Sequence, residues 1–143
     1  LLPATAAEVA LKGDRPTEAI QRSERLLRLM PHYVPAMLVI ADAKLHSAPA
    51  EAYELLQVVA RERPQSVSVH RLLAEAAGRS GRRGWGHFAK GEALQLEGRI
   101  DDAQRQLGYA RDIAEASGDR RLQARVDSRQ EAYGDYQEAM ELL

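Results

Sequence analysis

Apolar residues along this chain fall into short helical segments rather than alternating β-strand patterns. Ala and Leu, both strong helix formers, dominate, and runs of alternating Val, Ile and Thr are missing. Gly, Pro and Ser separate eight segments, each of a length that suits one helix. The pattern therefore predicts an all-α fold, with helices at about Ala4–Lys12, Pro16–Pro31, Val34–His46, Pro49–Arg63, Val67–Ala77, Trp85–Glu97 and Asp101–Ala116, and a last helix after Asp119.

The last segment is long and polar, with a sparse apolar stripe. The stripe consists of Leu122, Val126, Tyr133, Tyr136 and Met140. A single narrow stripe suits a helix that covers the end of a stack and keeps its other face in solvent. We expect this segment to be a capping helix.

Two stretches of the chain align without a gap: EAIQRSERLLRLMP at 18–31 and EAYELLQVVARERP at 51–64. Each has a small alanine near its start, Ala19 or Ala52, and a helix-ending proline at its end, Pro31 or Pro64. This unit resembles the second half of a tetratricopeptide repeat, whose period of about 34 residues is close to the offset between the two stretches. The resemblance implies a right-handed α-solenoid of about four degenerate helical hairpins, in which stacking buries the core and leaves a concave face for a partner.

The period changes in the second half of the chain. Gly81 and Gly98 are both expected at helix ends, yet the step between them is only half of a tetratricopeptide repeat. The step from Ala52 to Ala103 corresponds to one and a half periods. The sequence therefore suggests that the stack continues by a single helix in this region.

Composition limits the classes of partner. The length of 143 residues suits one domain, so the whole chain, 1–143, is interpreted as a single repeat domain. A net charge of -1 gives no global electrostatic reason to bind nucleic acid or an anionic membrane surface. Without Cys there is no disulfide or thiolate zinc site, and no apolar run approaches the roughly 20 residues that span a bilayer. These features favour a protein or peptide partner.

The stretch from Val69 to Gln130 carries a more particular resemblance. It contains LLAEA before a glycine turn, a single helix ending in EGR, then DDAQRQL and finally QARVDSR. These features, over about half of the chain, resemble the C-terminal repeats of periplasmic zinc metallopeptidases of the β-barrel assembly-enhancing protease type. In that family a peptidase domain with an HExxH motif precedes the repeats, which engage the outer-membrane protein assembly machinery and its substrates.

The resemblance implies that this chain is the non-catalytic, periplasmic part of such a protein. The chain opens on Leu1, and we expect it to be a piece of a larger or processed protein. Its four histidines (His32, His46, His70, His87) are scattered, and no HExxH can be written from them. Zinc is expected only in a peptidase domain outside this chain, and the chain itself is expected to have no cofactor, metal site or catalytic residue.

The partner-binding surface is expected on the first helix of each pair. In a repeat superhelix that helix lines the concave face, with exposed positions every three to four residues. This spacing predicts a surface formed by Leu38, Asp42, Leu45, His46, Arg71, Glu75, Arg79, Trp85, Phe88 and Glu92. Its mixed charge and apolar end suit an extended or helical peptide.

Two groups of these residues have a structural alternative. Arg71, Glu75 and Arg79 also fit a solvated ladder of charge pairs, each worth a few tenths of a kcal/mol. Trp85 and Phe88, the only Trp and the only Phe, also suit the core of a chain that is poor in aromatic residues.

The basic residues beside the glycine-rich turn also have two interpretations. Arg79, Arg82 and Arg83 are placed to bind a phosphate or a lipid head group. Alternatively they belong to a soluble, mobile loop whose glycines let the two halves of the stack flex.

The function predicted from these features is a protein-interaction domain that docks a periplasmic metallopeptidase onto outer-membrane protein assembly partners or substrates. The alternative is a tetratricopeptide scaffold in pilus or secretion assembly, or a cytoplasmic regulator. The chain contains no Asn, unlike the tetratricopeptide domains that clamp carboxyl termini with Lys and Asn. An enzyme would place Glu75 or Glu92 near His70 or His87, but no spacing here resembles a nucleophile, metal or phosphate motif.

Overall fold

The computed structural model of the chain describes residues 16–143, which form seven α-helices and no β-strand. The all-α prediction is confirmed for these residues, whereas the helix predicted at about Ala4–Lys12 lies outside them. The helices are α1 (Pro16–Leu29), α2 (Val34–Lys44), α3 (Pro49–Glu62), α4 (Val67–Arg79), α5 (Arg83–Leu96), α6 (Ile100–Ser117) and α7 (Arg120–Glu141).

Equivalent helices begin at equal intervals along the chain. The start of α1 at Pro16 and the start of α3 at Pro49 have the same offset as the two aligned stretches of sequence. The starts of α2, α4 and α6, at Val34, Val67 and Ile100, repeat that offset twice more. The sequence repeat is thus reproduced in the helix boundaries and extends to α6, which is compatible with a helical solenoid.

The helix starts show that the repeat continues through the second half of the chain, so the shortened period expected between Gly81 and Gly98 is not needed. Gly81 and Gly98 end two consecutive helices, and α6 then begins in step with α2 and α4. Gly86 stands in the first turn of α5 at the position where α1 and α3 have Ala19 and Ala52. Gly86, rather than Ala103, therefore follows those two alanines in the series.

The helices fall into two compact units that adjoin in sequence between Pro64 and Gln65. In the first unit α2 packs against both α1 and α3. A helix covered on two sides is apolar around most of its circumference. The buried residues of α2 are Val34, Ala36, Met37, Val39, Ile40 and Ala41.

In the second unit α5 is the central helix, and it packs against α4, α6 and α7. Two glycines of α5 permit this crowding. A Cβ on Gly84 would lie 2.6 Å from Leu122 Cδ2 of α7, and one on Gly86 would lie 3.3 Å from the Ala74 carbonyl oxygen of α4. Both glycines lie inside the helix and are buried, so close helix packing, rather than a flexible loop, accounts for them.

Three glycines end the helices α4, α5 and α6 with the same geometry. Gly81, Gly98 and Gly118 have φ of 80°, 80° and 70°, a left-handed conformation that glycine adopts without strain. The residue after each glycine donates its backbone N–H to the carbonyl five residues earlier, as in the Schellman motif. The helix ends predicted at Gly81 and Gly98 are confirmed.

Candidate functional site

The predicted site residues of α2 and the turn after it do not share one level of exposure. Asp42 and His46 are exposed and Leu38 is half-buried, while Leu45 is only 4% exposed. Leu45 therefore belongs to the core of the first unit rather than to a binding surface.

The predicted site residues of α4 are at least partly exposed, and their charges have partners within the second unit. Arg79 lies 3.8 Å from Glu75 one turn away, and Arg71 forms an ion pair with Glu97 just after the end of α5. This arrangement matches the alternative in which these residues are a solvated ladder of charge pairs.

The expectation of an exposed face on α5 is wrong for two of its three residues. Phe88 is 4% exposed and Glu92 is 7% exposed, whereas Trp85 is half-buried. The physical reason is that α5 is covered by α4, α6 and α7 together. Phe88 belongs to the main apolar cluster of the unit, against which Trp85 packs, as the core alternative predicted.

Each of the three predicted residues of α5 contacts an arginine of α7. The guanidinium carbon of Arg121 lies 5.6 Å from the ring centroid of Trp85, and that of Arg125 lies 5.1 Å from the ring centroid of Phe88. One turn further along, Arg129 donates to the Glu92 carboxylate from Nε at 2.6 Å and from Nη2 at 2.8 Å. We call Arg121, Arg125 and Arg129 the arginine row.

The arginine row is absent from the residues predicted by sequence. Its four-residue spacing is visible in the sequence and places the three side chains on one face of a helix. What that face would contact depends on how α7 packs against α5, which no local pattern encodes.

The aromatic side chains of Trp85 and Phe88 contact each other, and Trp85 is also bound by the residue that precedes α7. The rings of Trp85 and Phe88 meet edge to face, with centroids 6.0 Å apart. Trp85 Nε1 donates to Asp119 Oδ2 at 3.1 Å, while Asp119 Oδ1 accepts from the backbone N–H of Leu122 at 3.0 Å. Asp119 is thus the N-cap of α7 and the anchor of the indole at the same time.

A buried tyrosine, Tyr133, lies near the Glu92–Arg129 pair. Tyr133 is 5% exposed, and its hydroxyl has no hydrogen-bond partner among the described residues. Burial raises the pKa of Tyr133 to about 12; the nearby Glu92 carboxylate adds to the rise and Arg129 opposes it. The phenol is therefore neutral at physiological pH, and Glu92 has Arg129 as its hydrogen-bonding partner.

Two members of the arginine row keep their donors available. Arg121 and Arg125 are exposed, and neither forms an ion pair or a hydrogen bond with any described residue. A guanidinium group has five N–H donors in one plane, and contact with a ring does not consume them. These two arginines are therefore able to receive an acceptor from outside the chain.

Beyond the N-cap carboxylate of Asp119, the charges in the first and last turns of α7 are arranged against the dipole of the helix. Its first turn carries Arg120 and Arg121 without an acidic residue, and its last turn carries Glu138 and Glu141 without a basic one. Cations at a helix N-terminus and anions at its C-terminus each cost about 0.3–1 kcal/mol. Stability of α7 itself therefore does not explain why arginines stand at its beginning.

The histidine and carboxylate residues considered for catalysis or metal binding have other contacts. His87 Nδ1 lies 2.7 Å from Gln106 Oε1, and its ring meets that of Tyr109 edge to face at 5.3 Å. Across residues 16–143, no group of three or more His, Asp or Glu side chains is placed to hold a metal ion.

No protein-family model matches the chain, and a comparison with curated proteins finds no match. Within the part of the chain that the structure describes, no helix is both long and apolar enough to span a membrane.

Proposed function

We propose that this chain is a non-catalytic protein-interaction module made of tetratricopeptide-like repeats. The observation that supports the proposal is the equal interval between the starts of α2, α4 and α6, which is also the interval between the starts of α1 and α3. Repeats of this period stack into scaffolds that bind other proteins on an extended surface.

The surface that supports binding best lies on the second unit, at the exposed arginines of α7. Arg121 and Arg125 contact aromatic rings of α5, and their donors have no acceptor among residues 16–143. Holding the two cations over rings limits their conformational freedom, so less entropy is lost when a partner binds.

We further propose that the module acts in the periplasm and docks a zinc metallopeptidase onto outer-membrane protein assembly partners or substrates. The support for this finer proposal is the resemblance of the stretch from Val69 to Gln130 to the repeats of that peptidase family. Zinc would belong to the peptidase domain and would not be held by this chain.

The experiment is a capture assay with the purified chain immobilised, using envelope and cytosolic fractions in parallel. Components of the outer-membrane assembly apparatus should be enriched from the envelope fraction, and excess free chain should compete them away. A urea-unfolded chain on the same support is the control for non-specific adsorption.

The outcomes separate the two levels of the proposal. Competed capture of a pilus, secretion or cytosolic partner would support the interaction module and reject the peptidase role. If no protein is retained above the unfolded control, the interaction module itself is rejected. If the isolated chain has hydrolase activity that is lost on His70→Ala, the chain is an enzyme and the proposal is rejected.

A further inference from the structure

We propose that Arg121 and Arg125 bind a short acidic peptide segment in extended conformation, with two carboxylates separated by one residue. The inference rests on the proposed function and names the chemistry of its partner. It is carried by the two exposed guanidinium groups, which contact the rings of Trp85 and Phe88 and have no acceptor among the described residues.

The spacing of the two arginines suits such a segment. Residues four apart on a helix are separated by one turn, a rise of about 6 Å. Alternate side chains of an extended peptide point to the same side and are about 6.6–6.8 Å apart. Two acidic residues in positions i and i+2 would therefore each meet one guanidinium group.

The chemistry of the donors favours carboxylates. A guanidinium group offers two parallel N–H bonds that match the two oxygens of a carboxylate. The same chain already shows this pairing, because Arg129 binds Glu92 in this bidentate way one turn further along α7. The two exposed arginines would repeat toward a partner the contact that the third makes internally.

The surrounding charges favour a short peptide over a long polyanion. The net charge of the chain is -1, and the helix that carries the arginine row continues with exposed acidic residues at Glu131, Asp135, Glu138 and Glu141. A nucleic acid strand or an anionic bilayer would extend over these carboxylates and be repelled. A segment with two acidic residues would contact only the basic end.

Trp85 is the only Trp of the chain, so its fluorescence reports binding at this surface directly. The probe is an acetylated and amidated hexapeptide in which glutamate alternates with serine, titrated into the full chain at low salt with calorimetry in parallel. The same peptide with glutamine in place of glutamate is the neutral control. A peptide of equal composition with its glutamates adjacent tests the spacing.

We expect saturable binding of the alternating peptide, weaker binding of the adjacent-glutamate peptide and no binding of the neutral one. Arg121→Gln and Arg125→Gln should each weaken binding about tenfold or more, since each removes a charge-assisted contact. Arg105→Gln makes the same charge change on α6, where the guanidinium group already pairs with Asp102, and should alter affinity less than about twofold. Circular dichroism and thermal unfolding check that every variant is folded.

The contrary results are distinct from a failure of the proposed function. The proposal would be overturned if the folded chain did not bind the peptide. It would also be overturned if the Arg125→Lys variant bound equally well, because lysine keeps the charge but lacks the paired N–H donors of a guanidinium group. Tighter binding of a single-stranded oligonucleotide or of anionic phospholipid vesicles that is lost in the same variants would overturn it as well. Competed capture of a protein partner equally by the wild-type chain and by the Arg121→Gln/Arg125→Gln variant would overturn this inference and leave the interaction module standing.

Discussion

Arg129 on α7 holds the carboxylate of Glu92 on α5 through two hydrogen bonds of 2.6 and 2.8 Å. The Glu92 side chain is 9% exposed, whereas the Arg129 side chain is 43% exposed. The acid therefore depends on the arginine for compensation of its burial, while the arginine retains access to water. This asymmetry makes the pair a sensitive link between two helices that are not adjacent in sequence.

Replacing Arg129 with methionine is expected to lower the free energy of unfolding by about 2–3 kcal/mol, because the carboxylate stays buried without its partner. Urea denaturation of the two proteins near neutral pH measures the change. Arg105→Met is the control, since its exposed ion pair with Asp102 should cost less than about 0.5 kcal/mol. The Glu92→Leu/Arg129→Met variant should recover most of the loss, and a loss equal to that of Arg129→Met alone would contradict the explanation.

The glycines of α5 and α6 provide a matched test of helix packing. Gly84→Ala places a methyl group 2.6 Å from Leu122 Cδ2 and 3.1 Å from Ile113 Cγ2, and should destabilise the protein by about 1–3 kcal/mol through overpacking. Gly108, inside α6, has no atom within 4 Å of an added Cβ. Gly108→Ala should therefore stabilise by about 0.5–1 kcal/mol. Thermal unfolding measures both, and shifts of the same sign would reject close packing as the role of Gly84.

The helices of the described residues were predictable because their ends are encoded locally. Proline begins α1 and α3, and left-handed glycines end α4, α5 and α6. Each such signal acts over a short stretch of chain, so the boundaries follow closely from sequence. The repeat interval is visible for the same reason.

The candidate site was less predictable because exposure is a non-local property. The spacing rule that selected Phe88 and Glu92 assumes an open face on α5, but α4, α6 and α7 together cover this helix and both residues are buried. The arginine row has a helical spacing that any amphipathic helix shows. Which groups these arginines contact depends on residues far apart in the chain, as in the contacts of Trp85 with Arg121 and of Glu92 with Arg129.

Tyr133 should make stability fall in alkaline solution. Its pKa is about 12 in the folded chain and about 10 in the unfolded chain, so the folded state retains the proton over this interval. The contribution is fully present below about pH 10 and is lost as the pH rises through about 12. Urea denaturation at several alkaline pH values should show a smaller decline for Tyr133→Phe than for the wild type.

Tyr133→Phe also has an expectation near neutral pH. The hydroxyl is buried without a hydrogen-bond partner among the described residues, so its removal should leave stability unchanged or raise it by about 1 kcal/mol. Tyr109→Phe, at a half-exposed ring of α6, is the control for loss of a phenol. Equal alkaline declines for the wild type and Tyr133→Phe would contradict the assignment of the pH dependence to Tyr133.

The Asp119 carboxylate accepts one hydrogen bond from the Leu122 backbone and one from the Trp85 indole, and two substitutions separate their contributions to stability. Asp119→Ala removes both the N-cap of α7 and the acceptor for Trp85 Nε1, and should cost about 2 kcal/mol. Asp119→Asn keeps an oxygen for the Leu122 N–H but directs an amide N–H toward the indole, so it should cost about 1 kcal/mol. In a Trp85→Phe background this second cost should vanish, because no indole donor remains to be satisfied. A double-mutant cycle measured by urea denaturation compares the wild type, Asp119→Asn, Trp85→Phe and the combined variant. If Asp119→Asn costs as much stability without the indole as with it, the cap alone accounts for the role of Asp119.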